Sequence, residues 1–110
     1  MKIPKIRGNE VKKTFEDGKR IKTVYFHFIY RKNLSGYTRT MIIIGKRFGN
    51  AVKRNRMKRV FREVLRLEKE NIISGVDIII LPKNKAMKAD FHFLRMVFKD
   101  IIKRESLIQI

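Results

Sequence analysis

The chain has 110 residues, the size of one small domain, and its 44% hydrophobic content is that of a globular protein. Lys and Arg number 28 against 10 Asp and Glu, a net charge of +18 that repels itself in a compact fold and calls for a polyanionic partner, nucleic acid first and an anionic membrane surface second. The absence of cysteine excludes a disulfide framework, a thiolate nucleophile and a Cys-ligated zinc, and it fits the cytoplasm.

Met1 to Arg7 is basic and is followed by no apolar stretch, so it reads as the start of a basic N-terminal extension over residues 1–8 and not as a secretory signal. No internal repeat and no Pro-, Gly- or Ser-rich linker divides the chain, which predicts a single domain over 1–110. Residues 9–17 predict a short helix, with Asn9 as its cap, Val11, Thr14 and Phe15 on one side, and Gly18 as its stop. Residues 22–31 are a β-branched and aromatic run and predict a strand. Its parity puts Tyr25, His27 and Ile29 on one face, and Val24, Phe26, Phe28 and Tyr30 on the other. After a turn at 33–36, residues 38–46 predict a second strand, central because Met41, Ile42, Ile43 and Ile44 are apolar on both faces.

Gly45 and Gly49 bracket a tight connection, and from Asn50 to about Asn71 the apolar period is helical. Val76 to Leu81, apolar except for Asp77, predicts another strand, ended by Pro82. Residues 87–105 predict a last amphipathic helix through Met87, Phe91, Leu94, Val97, Phe98, Ile101 and Ile102. The order α-β-β(-β)-α-β-α predicts an α+β fold, a two-layer α/β sandwich on a mixed sheet. Its second strand, long helix and last strand make a β-α-β unit between parallel strands.

The long helix carries the chemistry. From Lys46 to Arg66 there are nine Lys or Arg and one acid, Glu63. At 100° per residue, Met57, Val60, Phe61, Val64 and Leu67 share the arc that packs on the sheet. Asn55, Lys58, Arg59, Arg62 and Arg66 share the opposite arc, flanked by Arg54 and Arg56. Guanidinium groups along such a face can each bridge to a phosphate with charged hydrogen bonds. A solvated face is the plain alternative, but like charges at i, i+3 and i, i+4 are costly without an anionic ligand.

Lys46, Gly49, Asn50, Ala51, Val52, Arg54, Asn55, Arg56, Lys58, Arg59, Arg62 and Glu63 together resemble the signature of the bacterial ribonuclease P protein subunit, whose Arg-Asn-Arg core stands here as Arg54-Asn55-Arg56. The resemblance extends over nearly the whole chain, including a first helix that closes on an aromatic residue followed by glycine, as in Phe15 and Gly18. It implies a ribosomal-protein-type fold with a left-handed β-α-β crossover, against the usual right-handed rule. It implies a ribonucleoprotein endonuclease in which a large RNA hydrolyses the phosphodiester with Mg²⁺, held mainly by that RNA, and removes the 5′ leader of precursor tRNA. The partners it implies are ribonuclease P RNA and precursor tRNA, with no membrane and no DNA.

The resemblance assigns Lys46, Lys53, Arg54, Asn55, Arg56, Lys58, Arg59, Arg62 and Arg66 to RNA binding. It assigns Lys12, Phe15, His27 and Ile29 to a leader-binding cleft between helix and sheet. The family often has a second aromatic four residues before Phe15, where this chain has Val11.

No catalytic residues are expected on the polypeptide itself. Neither His27 nor His92 has a carboxylate motif around it, and no metal-ligating spacing occurs. A ribosomal protein or general RNA chaperone is the nearest rival, with the same charge and fold class, and the Arg-Asn-Arg block argues against it. A DNA-binding protein, a membrane-surface protein and a free protein nuclease follow in that order. No helix-turn-helix spacing precedes the basic helix, and that helix's apolar face is needed to cover the sheet.

Overall fold

The computed structural model describes residues 3–109. Its one sheet has four strands in the order β1-β2-β4-β3, with β1 at Lys19–Lys22, β2 at Phe26–Lys32, β3 at Arg39–Ile42 and β4 at Val76–Pro82. β1 with β2 and β2 with β4 are antiparallel, while β3 and β4 are parallel, so the sheet is mixed as expected. Three helices complete the α+β fold: α1 at Gly8–Asp17, α2 at Ala51–Glu68 and α3 at Phe91–Arg104.

β4 is apolar on both faces because it is covered on both. Val76, Ile78 and Ile80 face the main core, where α2 and α3 contribute Met57, Phe61, Val64, Leu65, Leu94, Phe98, Ile101 and Ile102. Ile79 faces a smaller core with Ile6 and Ile29, under Val11 and Phe15 of α1. The sheet is thus fully covered on one side and capped by a single ten-residue helix on the other.

Several boundaries differ from the sequence reading. The run at 22–31 is not one strand. β1 and β2 form a hairpin whose turn is closed by Thr23, which donates its backbone N–H and its hydroxyl to the Phe26 carbonyl at 3.1 and 2.7 Å. Tyr25 therefore lies in the turn, off the strand alternation, and its ring packs edge-on to Phe93 of α3. The second strand is not central but the sheet's edge, with β4 in the middle. Met41 and Ile43 of that segment serve the small core, Ile42 and Ile44 the large one. Part of the N-terminal extension covers this edge: Thr40 donates to the Pro4 carbonyl at 2.9 Å, and Lys5 bridges Thr40 in parallel.

α1 begins at Gly8 with Arg7 as its cap, and Asn9 lies inside it. Gly18 ends α1 in an extended conformation, not a left-handed one. Glycine is required there for space: a Cβ would lie 2.4 Å from the Thr14 carbonyl oxygen and 2.8 Å from that of Tyr30. On α2 the buried arc is Met57, Phe61, Val64, Leu65 and Glu68, with Val60 and Leu67 only half-buried. Glu68 belongs inside because Arg95 of α3 and Asn71 donate to its carboxylate. Residues 84–88 form a 3₁₀ turn, and α3 starts at Phe91 behind Asp90, whose carboxylate accepts from the His92 N–H.

One buried ion cluster fixes α1. Arg39 forks onto Asp77, its Nε and Nη2 at 2.8 Å from the two carboxylate oxygens, and its Nη1 reaches Glu10 of α1 at 2.6 Å. Asn33 donates to the same Asp77 at 2.7 Å, which leaves this fully buried carboxylate well satisfied. The Arg39 guanidinium also holds the Glu10 carboxyl below its ordinary range. In urea unfolding, Arg39→Ala is expected to cost about 3–5 kcal/mol, because it strands Asp77 in the interior. Arg39→Lys keeps the charge, loses the fork and should fall between the alanine variant and the parent. A loss below roughly 1 kcal/mol for the alanine variant would mean that the apolar face alone holds α1.

Candidate nucleic-acid interface

The N-terminus of α2 is built to present cations. Gly49 has φ +147, which only glycine adopts freely, and turns the chain out of a 3₁₀ turn at Lys46–Phe48. Asn50 then caps the helix, its side-chain oxygen accepting from the Lys53 N–H at 3.0 Å. Arg54 reaches back and donates to the Gly49 carbonyl at 3.0 Å, so its half-buried side chain ties the turn to the helix. Asn55, Arg56, Arg59 and Arg62 are left exposed, together with Lys46 and Lys53. Among the described residues none of these four arginine and lysine side chains at 46, 53, 56 and 59 has an ion-pair partner, nor does Arg62.

Arg66 differs, since it forks onto Glu63 three residues earlier. Lys58, placed on the exposed arc by the helical wheel, is half-buried. With Arg62 and Arg66 it lines a groove of about 540 Å³ along the β3 edge, where Lys5 and Thr40 form the other bank. The cationic surface therefore wraps from α2 onto the N-terminal segment. Nothing in the helical period alone points to Lys5, because its place depends on pairing with β3.

The second candidate surface is the sheet face beside α1. Phe15 is half-buried against the small core, and the Arg20 guanidinium lies 5.8 Å from its ring centre. Lys12 is exposed one turn earlier, loosely paired with Glu16 at 3.8 Å. Cross-strand register sets Lys22, His27 and Leu81 in one row next to Arg20, Ile29 and Ile79. His27 is half-buried; burial first, then the charges of Lys83, Arg20 and Lys22, push its pKa below the ordinary 6.5. Ile29 is fully buried beneath α1 and offers no surface to a ligand; its part is to support Phe15 from below. Arg20 and Lys22 of β1 and Lys83, just after β4, enrich this cleft; no spacing in the sequence points to them, because cross-strand register brings them together.

His92 is exposed on α3, away from any cluster of acids. Among the described residues no three His, Asp or Glu side chains converge as a metal cage would require. No helix among them is long and apolar enough to cross a membrane.

A family model for Ribonuclease P matches residues 6–106. The ribonuclease P protein component of Thermotoga maritima is 35% identical over 94 residues, spanning 82% of this chain and 80% of that protein. The corresponding component of Natranaerobius thermophilus is 33% identical over 103 residues, 94% of this chain and 90% of its own. The solved structure of the RNase P protein from Thermotoga maritima matches with a TM-score of 0.81 at 32% identity, over 91% of this chain and 96% of that one. The Gly49–Asn50–Arg54 device, the free cations on α2 and this agreement along the chain have one explanation: the protein belongs to the ribonuclease P protein family, the protein component of an enzyme that processes tRNA.

Proposed function

We propose that the protein binds the catalytic RNA through the exposed face of α2, and the single-stranded 5′ leader of precursor tRNA in the cleft between α1 and the sheet. In this reading the RNA subunit performs the hydrolysis with its own Mg²⁺ in the cytoplasm, and the polypeptide contributes affinity and positioning. The observation that carries it is the row of Lys53, Arg56, Arg59 and Arg62, exposed and without acidic partners, on a helix that is anchored at its start and buried along its other face. Such a row is costly for an isolated helix and favourable against phosphates. The dispersed acids, Glu10, Glu68 and Asp77 each being bound to arginine, support a polypeptide without a metal cage of its own.

The cleft has the elements that hold single strands: a half-buried aromatic ring, a basic row and an apolar floor. With Val11 in place of a second aromatic, Phe15 carries the stacking together with Arg20, which lies close enough to stack a guanidinium plane.

Binding of the partner RNA should fall steeply with salt, because each neutralised phosphate adds about 0.7–0.9 to the slope of log K against log salt. Arg56→Ala, Arg59→Ala and Arg62→Ala should each cost about 1–2 kcal/mol and flatten that slope by roughly one unit or less. A folded triple variant with unchanged affinity and slope would reduce the row to a solvated face. Phe15→Ala should weaken precursor tRNA by roughly 1–3 kcal/mol and leave mature tRNA and the partner RNA bound as before. Thermal melting controls for the loss of packing over Ile29. An unchanged precursor-to-mature ratio with a lower melting temperature would assign Phe15 to the core.

His27 supplies a pH test. Its folded pKa is depressed, so at neutral pH the ring is uncharged. A phosphate among Arg20, Lys22 and Lys83 would offset their repulsion and raise that pKa, so binding would take up a proton. The preference for precursor over mature tRNA should then strengthen as pH falls through the window between the free and bound values, and His27→Gln should be flat there. The check is an NMR titration of the His27 ring with and without a leader oligonucleotide; a pKa that does not rise with RNA removes His27 from the cleft.

A further inference from the structure

At the end of the sheet opposite the Arg39 cluster, the β1–β2 turn, the 3₁₀ turn at Asn84–Lys88 and the first turn of α3 enclose a second pocket, of about 630 Å³. Tyr25 and Phe93 form its apolar side, with ring centres 5.0 Å apart and planes at 75°. Asn84, Lys85, Lys88 and Asp90 form its polar side. Phe93 remains 42% exposed on a helix whose Leu94, Phe98, Ile101 and Ile102 are all buried, so the core leaves its ring largely unused. Lys85 and Lys88 are exposed, and neither has an ion-pair partner among the described residues.

Two rings set nearly at right angles form a corner in which a flat base can stack on one and abut the other. Two free ammonium groups beside that corner suit the phosphate of the same nucleotide. Asn84 offers both a donor and an acceptor to the base edge, and Asp90 has acceptor capacity left after capping α3. Lys83 links the pocket to the His27 row of the cleft beside α1. Lys83 donates its backbone N–H to the Tyr25 carbonyl at 2.8 Å, its charge acts on His27, and Asn84 and Lys85 follow it directly in the chain.

We propose that the Tyr25–Phe93 corner seats one unpaired nucleotide of the 5′ leader, distinct from the stretch lying over Phe15 and His27, with Lys85 and Lys88 on its phosphate. The proposal rests on the leader-binding reading above. It extends the single-stranded path around the end of the sheet to a site on the α3 side.

The test is fluorescence anisotropy with protein assembled on its partner RNA, using precursor tRNAs whose leaders are shortened one nucleotide at a time. Phe93→Ala should weaken the full-leader precursor roughly tenfold, the effect of losing one base–aromatic stack. The double charge reversal Lys85→Glu, Lys88→Glu should do likewise, while Phe93→Trp should retain binding. The loss should vanish with the leader removed, and should set in at a leader length different from that for Phe15→Ala. Because Phe93 is exposed and the lysines are on the surface, these variants are expected to keep the parent melting temperature. Parent affinity in both Phe93→Ala and the charge reversal at every leader length would overturn the proposal. So would an equal loss for mature tRNA or for the partner RNA alone, which would make the corner a site for another strand. If Phe93→Ala alone shows the leader-dependent loss, the corner stands and the Phe15 cleft falls; if neither variant does, both fall.

Discussion

Arg39 holds two carboxylates from two layers of the protein, Asp77 in the central strand and Glu10 in α1, and much of the functional geometry depends on that grip. α1 has only ten residues and a narrow apolar face, too little to set its own angle on a sheet. A bidentate pair on buried Asp77 fixes where the guanidinium stands, and its remaining nitrogen fixes the first turn of α1. One end of α1 is thereby pinned over the Asp77 row, and its far end carries Phe15 over Ile29 and Ile79. The row beyond, with His27 and Leu81, is only half-buried. A half-covered sheet face would ordinarily be a liability. Here its rim is Arg20, Lys22 and Lys83, which makes it a basic trough.

The same logic of anchoring in order to present applies to α2. Of the residues that form the family-like signature, several do not touch solvent-facing chemistry at all. Gly49 supplies a backbone conformation, Asn50 a cap and Arg54 a tie to the Gly49 carbonyl. These order the first turn of a helix that would otherwise fray under the repulsion of its own cations. The backbone that carries Arg56, Arg59 and Arg62 is then already ordered, so little backbone entropy is left to lose when phosphates arrive. An Arg-Asn-Arg block is therefore not uniform in role: its first arginine is structural, its last faces outward.

α2, β4 and α3 are legible in the sequence because each is a long one-sided or, Asp77 apart, apolar run with a clear stop, and the exposure of Arg56, Arg59 and Arg62 follows from the helical period. What is not legible depends on partners distant in the chain. The hairpin of β1 and β2 rests on Thr23 closing a turn inside the β-branched and aromatic run at 22–31, where nothing marks a break. The edge position of β3 is concealed because the segment at Pro4–Ile6 and helices on both faces bury what would otherwise read as a central strand. Ile29 was legible as sharing a face with His27, but not as lying beneath α1. Gly18 is the helix stop it looks like, and it is also a close contact between α1 and the β2 backbone, which the sequence does not reveal.

The β3 edge joins the two surfaces. On one side of it Lys58, Arg62 and Arg66 descend from α2; on the other Lys5 lies along the strand, and Met41 faces the small core with Ile29 and Ile79. In the proposed function, two RNA segments are held on opposite layers of one sheet without sharing a side chain. The material between them is β3 and β4, hydrogen-bonded in register and closed by the Arg39 fork. Coupling between sites requires an element with two arrangements that both ligands bias. Where the connection is a rigid sheet, the two binding free energies add, and the protein acts as a spacer that fixes the distance between them. In the proposed function, a fixed distance between two bound strands is itself the contribution, because it converts an encounter of two RNAs into a local rearrangement.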